Sequence, residues 1–285
     1  LLCPTGSKCP LGSAEPTECA AGMYQDEQGQ ITCKTCPAGY YCEINTSTPV
    51  VCPAGSYCPS GTKYANEFLC PNGTYSAVTG LQEVANCTSC TPGYYCGSRG
   101  LTAPTDVCTE GYFCGGGSSV AEPYDSGKTD LRFSYIGATC KTTLNTTLFE
   151  LCGTGEYEGD TCVKDSNITL NDICPPGHYC PTGSSAPIQC PVGTNTSAVG
   201  MTNVTQCQPC TRGYYCPLNA TVFATRQCLP GYYCPTGTGM VNDSLLCPTG
   251  SKCPLGSAEP TECAAGMYQD EQGQTTCKTC PAGYY

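Results

Sequence analysis

The sequence predicts a small disulfide-rich fold: an elongated tandem array of cysteine-rich modules with short β strands and little or no helix. Three observations point there. Cysteine supplies 30 of 285 residues, a density that marks scaffolds in which covalent links replace core burial. The block Cys33–Cys42 (CKTCPAGYYC) returns as Cys87–Cys96 (CTSCTPGYYC), as Cys207–Cys216 (CQPCTRGYYC) and from Cys277 (CKTCPAGYY). Ordinary core residues are also scarce. The 39% apolar fraction counts 30 Cys and 20 Tyr, and setting those aside leaves about 61 residues, too few for one large core. Closing a loop of ~15 residues with a bridge removes roughly 3 kcal/mol of unfolded-state entropy, so a dozen such loops compensate for the missing core.

The longest repeat is a duplication. Leu1–Tyr41 returns as Leu245–Tyr285 at an offset of 244, with one difference, Ile31 against Thr275. Near-identity over such a length indicates a long unit repeated in tandem. Leu1-Leu-Cys-Pro opens in mid-module with no signal peptide, so the sequence is expected to be a stretch of a longer secreted chain.

Within the period a weaker repeat sets the organisation. Cys19–Cys58 reads C-x13-C-x2-C-x5-C-x9-C-x5-C, while Cys70–Cys114 and Cys190–Cys234 both read C-x16-C-x2-C-x5-C-x11-C-x5-C. Isolated C-x5-C steps stand at Cys3–Cys9, Cys174–Cys180 and Cys247–Cys253. The expected layout is a partial module at 1–18, cysteine-rich modules at 19–69 and 70–114, and an irregular insert at 115–173. A linking C-x5-C step at 174–189, a third module at 190–244 and the next period from 245 to 285 complete it.

The insert breaks the rhythm with the longest cysteine-free gap, from Cys114 to Cys140, and Leu131–Ile136 alternates in a way that suits a short strand. Elsewhere Gly and Pro punctuate the chain every few residues, which confines strands to about three to five residues. In Pro-Ala-Gly-Tyr-Tyr the Pro presets φ and the Gly accepts φ > 0, a type II turn signal. One Tyr then faces the bridges and the other faces outward, so rings laid over disulfides form a miniature core. Spacing alone leaves many disulfide connectivities open. Residues 1–244 hold 25 cysteines, so one thiol per period is free or bridges to another period or chain. The irregular trio Cys140, Cys152 and Cys162 is its expected source.

Bridges at this density imply an oxidising, extracellular setting. Nine sequons agree: Asn45, Asn72, Asn86, Asn145, Asn167, Asn195, Asn203, Asn219 and Asn242, so N-linked glycans are expected. A net charge of −11 disfavours nucleic acid and anionic membrane as partners. No apolar run approaches the ~18 residues of a membrane span.

Chemistry-bearing motifs reduce to structure. Structural zinc needs a second C-x-x-C about 15–20 residues on or a pair of histidines, whereas Cys33 and Cys87 lie 54 apart and His178 is the only histidine. No metal, cofactor or redox role is therefore expected. A lone histidine, placed where sister blocks carry Tyr, leaves no Ser or Cys with an activating base, so the chain is not read as an enzyme. Asp26-Glu27 lies in a Gln-Asp-Glu-Gln-Gly turn without the alternating acids of a calcium loop.

Cys70-Pro-Asn-Gly-Thr-Tyr-Ser, then Cys87-x-x-Cys90 and Gly93-Tyr-Tyr-Cys96, resemble the cysteine-rich repeats of ephrin receptors and the related modules of tumour necrosis factor receptors. They look especially like ephrin-receptor-like repeats found in tandem in algal and protist surface proteins. The resemblance covers most of the chain except about 115–173. It implies the pairs Cys19–Cys33, Cys70–Cys87 and Cys190–Cys207. It also implies interleaved pairs: Cys36–Cys52 with Cys42–Cys58, Cys90–Cys108 with Cys96–Cys114, and Cys210–Cys228 with Cys216–Cys234. Cys263 and Cys277 copy Cys19 and Cys33 and are disulfide cysteines with them.

Two function classes follow. One is a structural subunit of an extracellular glycoprotein filament, similar to the cysteine-rich repeat regions of mastigonemes, with other copies of itself and other filament proteins as expected partners and a secreted, flagellar or cell-surface location. The other is a receptor or adhesin ectodomain presenting a ligand-binding rod. Receptor modules normally diverge so that one can carry specificity, and the near-identical copy favours the filament.

Overall fold

The computed structural model describes residues 1–123 and 171–284, together with the backbone of 139–140 and 162–163. The chain divides into two units. The first comprises Leu1–Thr109, Phe113–Pro123 and Gly183–Ser185; the second comprises Glu110–Tyr112, Tyr124–Thr182 and Ala186–Tyr285. The expected strand at Leu131–Ile136 and most of the insert lie outside the described residues. So does Cys152, and of Cys140 and Cys162 only the backbone pairing, antiparallel and in register, is described.

Each described C-P-x-G-x-x block folds into one rung. In the rung from Cys36 to Cys42, the Tyr40 N–H donates to the Pro37 carbonyl at 3.2 Å, and Gly39 takes φ 84°. Gly39 is at the third position, as expected of a type II turn, while Pro37 opens the turn as its acceptor and Ala38 takes the first corner. The turn brings the Cα atoms of Cys36 and Cys42 to 5.9 Å, where they are bridged. Antiparallel pairing then links Tyr40–Tyr41 to Val50–Val51, just ahead of the next rung.

Strands run two or three residues, shorter than the three to five expected. Turns and cysteines crowd the arms: Tyr40–Tyr41 lies between Gly39 and Cys42, and Lys34–Thr35 between Cys33 and Cys36, which leaves no room for more. Three single-turn 3-10 segments, Val84–Asn86, Val204–Gln206 and Asp243–Leu245, are the helical elements among the described residues.

The core is cystine. Apart from Phe113, Val222 and the prolines Pro123, Pro175 and Pro176, every buried apolar side chain among those described is a cysteine. The tyrosines were expected to share that role and do not. Tyr40 and Tyr94 are about two-fifths exposed and their neighbours Tyr41 and Tyr95 half-buried, so the rings form partial lids. Among the described residues, thirteen disulfides therefore stand where a globular domain would place Leu, Ile and Phe.

Candidate functional site: the stapled rung and its stacking edges

Two kinds of rung alternate irregularly. In the first, the opening cysteine closes on the cysteine six residues later: Cys3–Cys9, Cys36–Cys42, Cys52–Cys58, Cys90–Cys96 and Cys108–Cys114 in the first unit. Cys174–Cys180, Cys210–Cys216, Cys228–Cys234 and Cys247–Cys253 do so in the second. In the second kind the closing position holds Gln25, Ser76, Thr196 or Gln269, and the opening cysteine reaches further. These bridges are Cys19–Cys33, Cys70–Cys87, Cys190–Cys207 and Cys263–Cys277.

The interleaved pairs implied by the resemblance are thereby corrected. Cys36 bonds Cys42, not Cys52; Cys52 bonds Cys58; and Cys90, Cys108, Cys210 and Cys228 each close on the cysteine six residues on. The cause is local, because the turn through the positive-φ glycine three residues after each opening cysteine (Gly39, Gly55, Gly93, Gly111, Gly213 and Gly231) already holds the two cysteines of one rung at bridging distance. The isolated C-x5-C steps carried that signal, since Cys174 and Cys180 are not followed directly by a second C-x5-C step with which to interleave. Eleven bridges use 22 of the 25 cysteines in residues 1–244, which confines the odd thiol to Cys140, Cys152 and Cys162. Cys280, the copy of Cys36, carries no bridge.

Rungs are joined by a recurring set of four backbone hydrogen bonds. Between the rungs of Cys36 and Cys52, the Cys52 N–H donates to the Gly39 carbonyl at 2.9 Å, and the Gly39 N–H donates to the Cys58 carbonyl at 2.8 Å. The Gly61 N–H donates to the Cys36 carbonyl at 2.8 Å, and the Cys42 N–H to the Thr62 carbonyl at 3.0 Å. In the second unit the rungs of Cys210 and Cys228 repeat the set through Gly213, Cys234, Gly237 and Thr238, at 2.8–2.9 Å. Each set satisfies polar backbone that burial of the cystines would otherwise strand.

Half of this ladder leaves little trace in the sequence. A second turn follows each rung, six or seven residues after the first glycine, and its N–H reaches back to the opening cysteine of the preceding rung. Glycine usually occupies it; Asn45 at φ 60° and Ala220 at φ 56° are the exceptions, and they are the only non-glycine residues with positive φ among those described. The second glycine of C-P-x-G-x-x-x-x-x-G was the available signal. The first-turn glycine has a further constraint. A Cβ on Gly73 would stand 2.5 Å from the Gly117 carbonyl oxygen, two rungs along.

The predicted glycosylation residues fall on this frame's surface. Asn45, Asn72, Asn86, Asn203, Asn219 and Asn242 are exposed and Asn195 is half-buried, while Asn145 and Asn167 lie outside the described residues. Asn203 and Asn242 each use Oδ1 to accept the N–H of their own sequon's third residue, Thr205 and Ser244, at 3.0 Å. Their Nδ2 groups remain available to a glycan.

Charge chemistry is slight. Lys34 Nζ lies 2.6 Å from Asp26, 3.5 Å from Glu27 and 6.0 Å from the Tyr24 ring centre, and Lys278 repeats the arrangement with Asp270, Glu271 and Tyr268. The Lys34 hydrogen bond holds the Asp26 carboxyl below its ordinary range, but both groups are well exposed. No group of three or more potential metal ligands occurs among the described residues. No helix among them is long and apolar enough to cross a membrane.

His178 is half-buried, and its Nδ1 lies 2.9 Å from the Pro176 carbonyl, which suits a neutral ring donating that bond. Burial pushes its pKa down, partly offset by that bond. A base with a lowered folded pKa binds its proton more readily when unfolded. It therefore contributes stability above about pH 6.5 that is lost as pH falls toward the folded pKa. His178→Tyr, which restores the residue of sister rungs, is expected to shrink the drop in thermal midpoint between pH 7.5 and pH 5.5. An unchanged drop in calorimetry would remove the histidine from the account.

Comparison with known proteins agrees with this frame. Residues 250–285 match the family described as tyrosine-protein kinase ephrin type A/B receptor-like. The chain is also similar to the Sushi, von Willebrand factor type A, EGF and pentraxin domain-containing protein 1 of Mus musculus, 29% identical over 106 residues. The protein of the same name in Rattus norvegicus is 33% identical over 94 residues. These alignments cover 30% and 31% of the chain, and the chain spans 3% of the length of either relative. The repeats are thus of an extracellular, disulfide-rich type.

Proposed function

We propose that the chain is a structural subunit of an extracellular glycoprotein filament assembled from tandem disulfide-stapled repeats, secreted or carried on a cell or flagellar surface. One observation carries this reading: the 41-residue copy keeps the geometry of the original as well as its sequence. The hydrogen bonds of Cys19, Gly6, Gly29 and Cys9 recur at Cys263, Gly250, Gly273 and Cys253 to within 0.1 Å. A receptor rod needs at least one module that departs from its sisters to recognise a ligand. A filament needs sameness, because each repeat contacts chiefly its neighbours and extends the array by one more step.

The remaining features suit that role. Outside the stretch between Cys114 and Cys174, covalent closure every 16–20 residues protects against proteolysis and shear, and N-linked glycans on the exposed sequons shield neighbouring exposed apolar side chains such as Ile44 and Val204. The partner is further copies of the same unit. Electron microscopy of the native material tests the reading. The expected result is a filament with a regular axial repeat set by the 244-residue period. A monomeric, single-copy chain that binds a soluble ligand tightly would point instead to the receptor or adhesin class.

A further inference from the structure

One position sets the module that opens at Cys190 apart from its sisters. Five residues after the opening cysteine of each other long bridge stands a tyrosine: Tyr24 after Cys19, Tyr75 after Cys70 and Tyr268 after Cys263. Each ring meets a side chain of its own module. Lys34 and Lys278 lie 6.0 Å from the ring centres of Tyr24 and Tyr268, and the Tyr75 hydroxyl lies 3.3 Å from Thr91 Oγ1. After Cys190 the same place holds Asn195, which pairs across the hairpin with Gln208 as Tyr24 does with Lys34.

Beside this short amide lies a groove of about 460 Å³, within the ~300–1,000 Å³ of small-molecule sites. Asn195, Ser197, Thr205, Gln206 and Gln208 give it amides and hydroxyls, Met201 gives it an apolar wall, and none of its lining residues is charged. Gln206 Oε1 is committed, accepting the Thr202 and Asn203 N–H groups at 2.7 and 3.1 Å. Gln206 Nε2, Gln208 Oε1 and the Ser197 hydroxyl form no hydrogen bond among the described residues. Asn195 also heads the sequon Asn195-Thr196-Ser197, so the residue that lacks a ring is one that can acquire it by modification.

We infer that Asn195 is N-glycosylated and that the first N-acetylglucosamine of its glycan occupies this groove, in the place a tyrosine ring takes in the sister modules. In the modification Asn195 Nδ2 gives up one proton and bonds to the anomeric carbon of the sugar. The bond from that carbon to a lipid-linked pyrophosphate breaks, and the pyrophosphate leaves with the electron pair. The substituted amide keeps one N–H, which preserves its long 3.5 Å contact with the Val222 carbonyl. A pyranose suits the lining: its C–H face lies on Met201, while its hydroxyls and N-acetyl group serve Gln206 Nε2, Gln208 Oε1 and Ser197. This sugar is a lid for its module, unlike glycans on the exposed Asn203 and Asn242. The inference rests on the reading of the chain as a secreted glycoprotein and is independent of the filament.

The full chain secreted from eukaryotic cells provides the test. Peptide mass spectrometry is expected to find a glycan on Asn195. Amide exchange at Thr196, whose N–H donates to the Thr221 carbonyl at 3.1 Å, reports on the lid. Asn195→Gln is expected to speed that exchange about tenfold. Asn195→Tyr is expected to restore it, as is expected of no surface glycan, and Asn203→Gln to leave it unchanged. Trimming by an endoglycosidase that leaves one sugar on each asparagine is expected to have no effect on it. Should Asn195→Gln not be secreted, amidase digestion of the native chain serves instead, with slower release at Asn195 than at Asn203 expected and equal release contradicting the inference. A bare Asn195 beside glycosylated Asn203 and Asn242, or native exchange at Thr196 in Asn195→Gln, would overturn it and leave the glycoprotein reading standing. Bare asparagines at every sequon would remove both.

Discussion

Gly73→Ala is expected to destabilise the first unit by about 3 kcal/mol or more, a large loss for a unit whose core is cystine. Two costs combine. Gly73 sits at φ 82°, where an L side chain costs roughly 1–2 kcal/mol. The new methyl would also stand 2.5 Å from the Gly117 carbonyl, and neither backbone can give way without opening the ladder. Overpacking of this kind costs roughly 1–3 kcal/mol. The loss should be graded along the stack, because each rung leans on its neighbours. Amides of Cys90 and Cys96, bonded to Gly73 and Ser118, are expected to lose exchange protection first, and those of the rung at Cys19 last. Wild-type protection at Cys90 in this variant would show that the close approach does not matter.

Removing the Cys70–Cys87 bridge is expected to cost more than removing Cys90–Cys96. The first closes a sequence separation of 17 and the second a separation of 6. Chain entropy then assigns about 3 kcal/mol to the longer loop and about 2 kcal/mol to the shorter. With few apolar contacts to compensate, either double serine variant should show the loss in urea titrations followed rung by rung. The order matters more than the values. A larger loss for Cys90→Ser/Cys96→Ser would mean that the short bridge holds more than its own loop.

Much of this was legible in the sequence. The cysteine density, the scarcity of ordinary core residues and the 244-residue period were sufficient for the class of fold. Reading C-x-x-C as structural needed only the spacing of Cys33 and Cys87 and the single histidine. Connectivity was harder, because a string of cysteines carries no distances. The family resemblance pointed to interleaved bridges across two steps, and the Pro37-Ala38-Gly39 turn settles the matter locally by folding Cys36 onto Cys42.

The ladder itself was hidden for a different reason. Its donors and acceptors are backbone groups, which every residue has, and only register in space selects Gly39, Cys52, Cys58 and Gly61 from the rest. Positive φ at Asn45 and Ala220 reveals the second turn in the structure, where composition alone would show an ordinary sequon and an ordinary alanine. The tyrosines misled in the opposite direction. Their repetition suggested a core, yet a cystine is compact enough to fill the space inside a six-residue loop, and the rings are left at the rim.

Everything above depends on each rung being closed upon itself and joined to the next by backbone alone. Proteolysis of the oxidised protein without reduction, followed by mass spectrometry of the linked peptides, tests this most directly. The account predicts Cys36 linked to Cys42 and Cys52 linked to Cys58, with no covalent link between the two rungs. Recovery of Cys36–Cys52 and Cys42–Cys58 would contradict it.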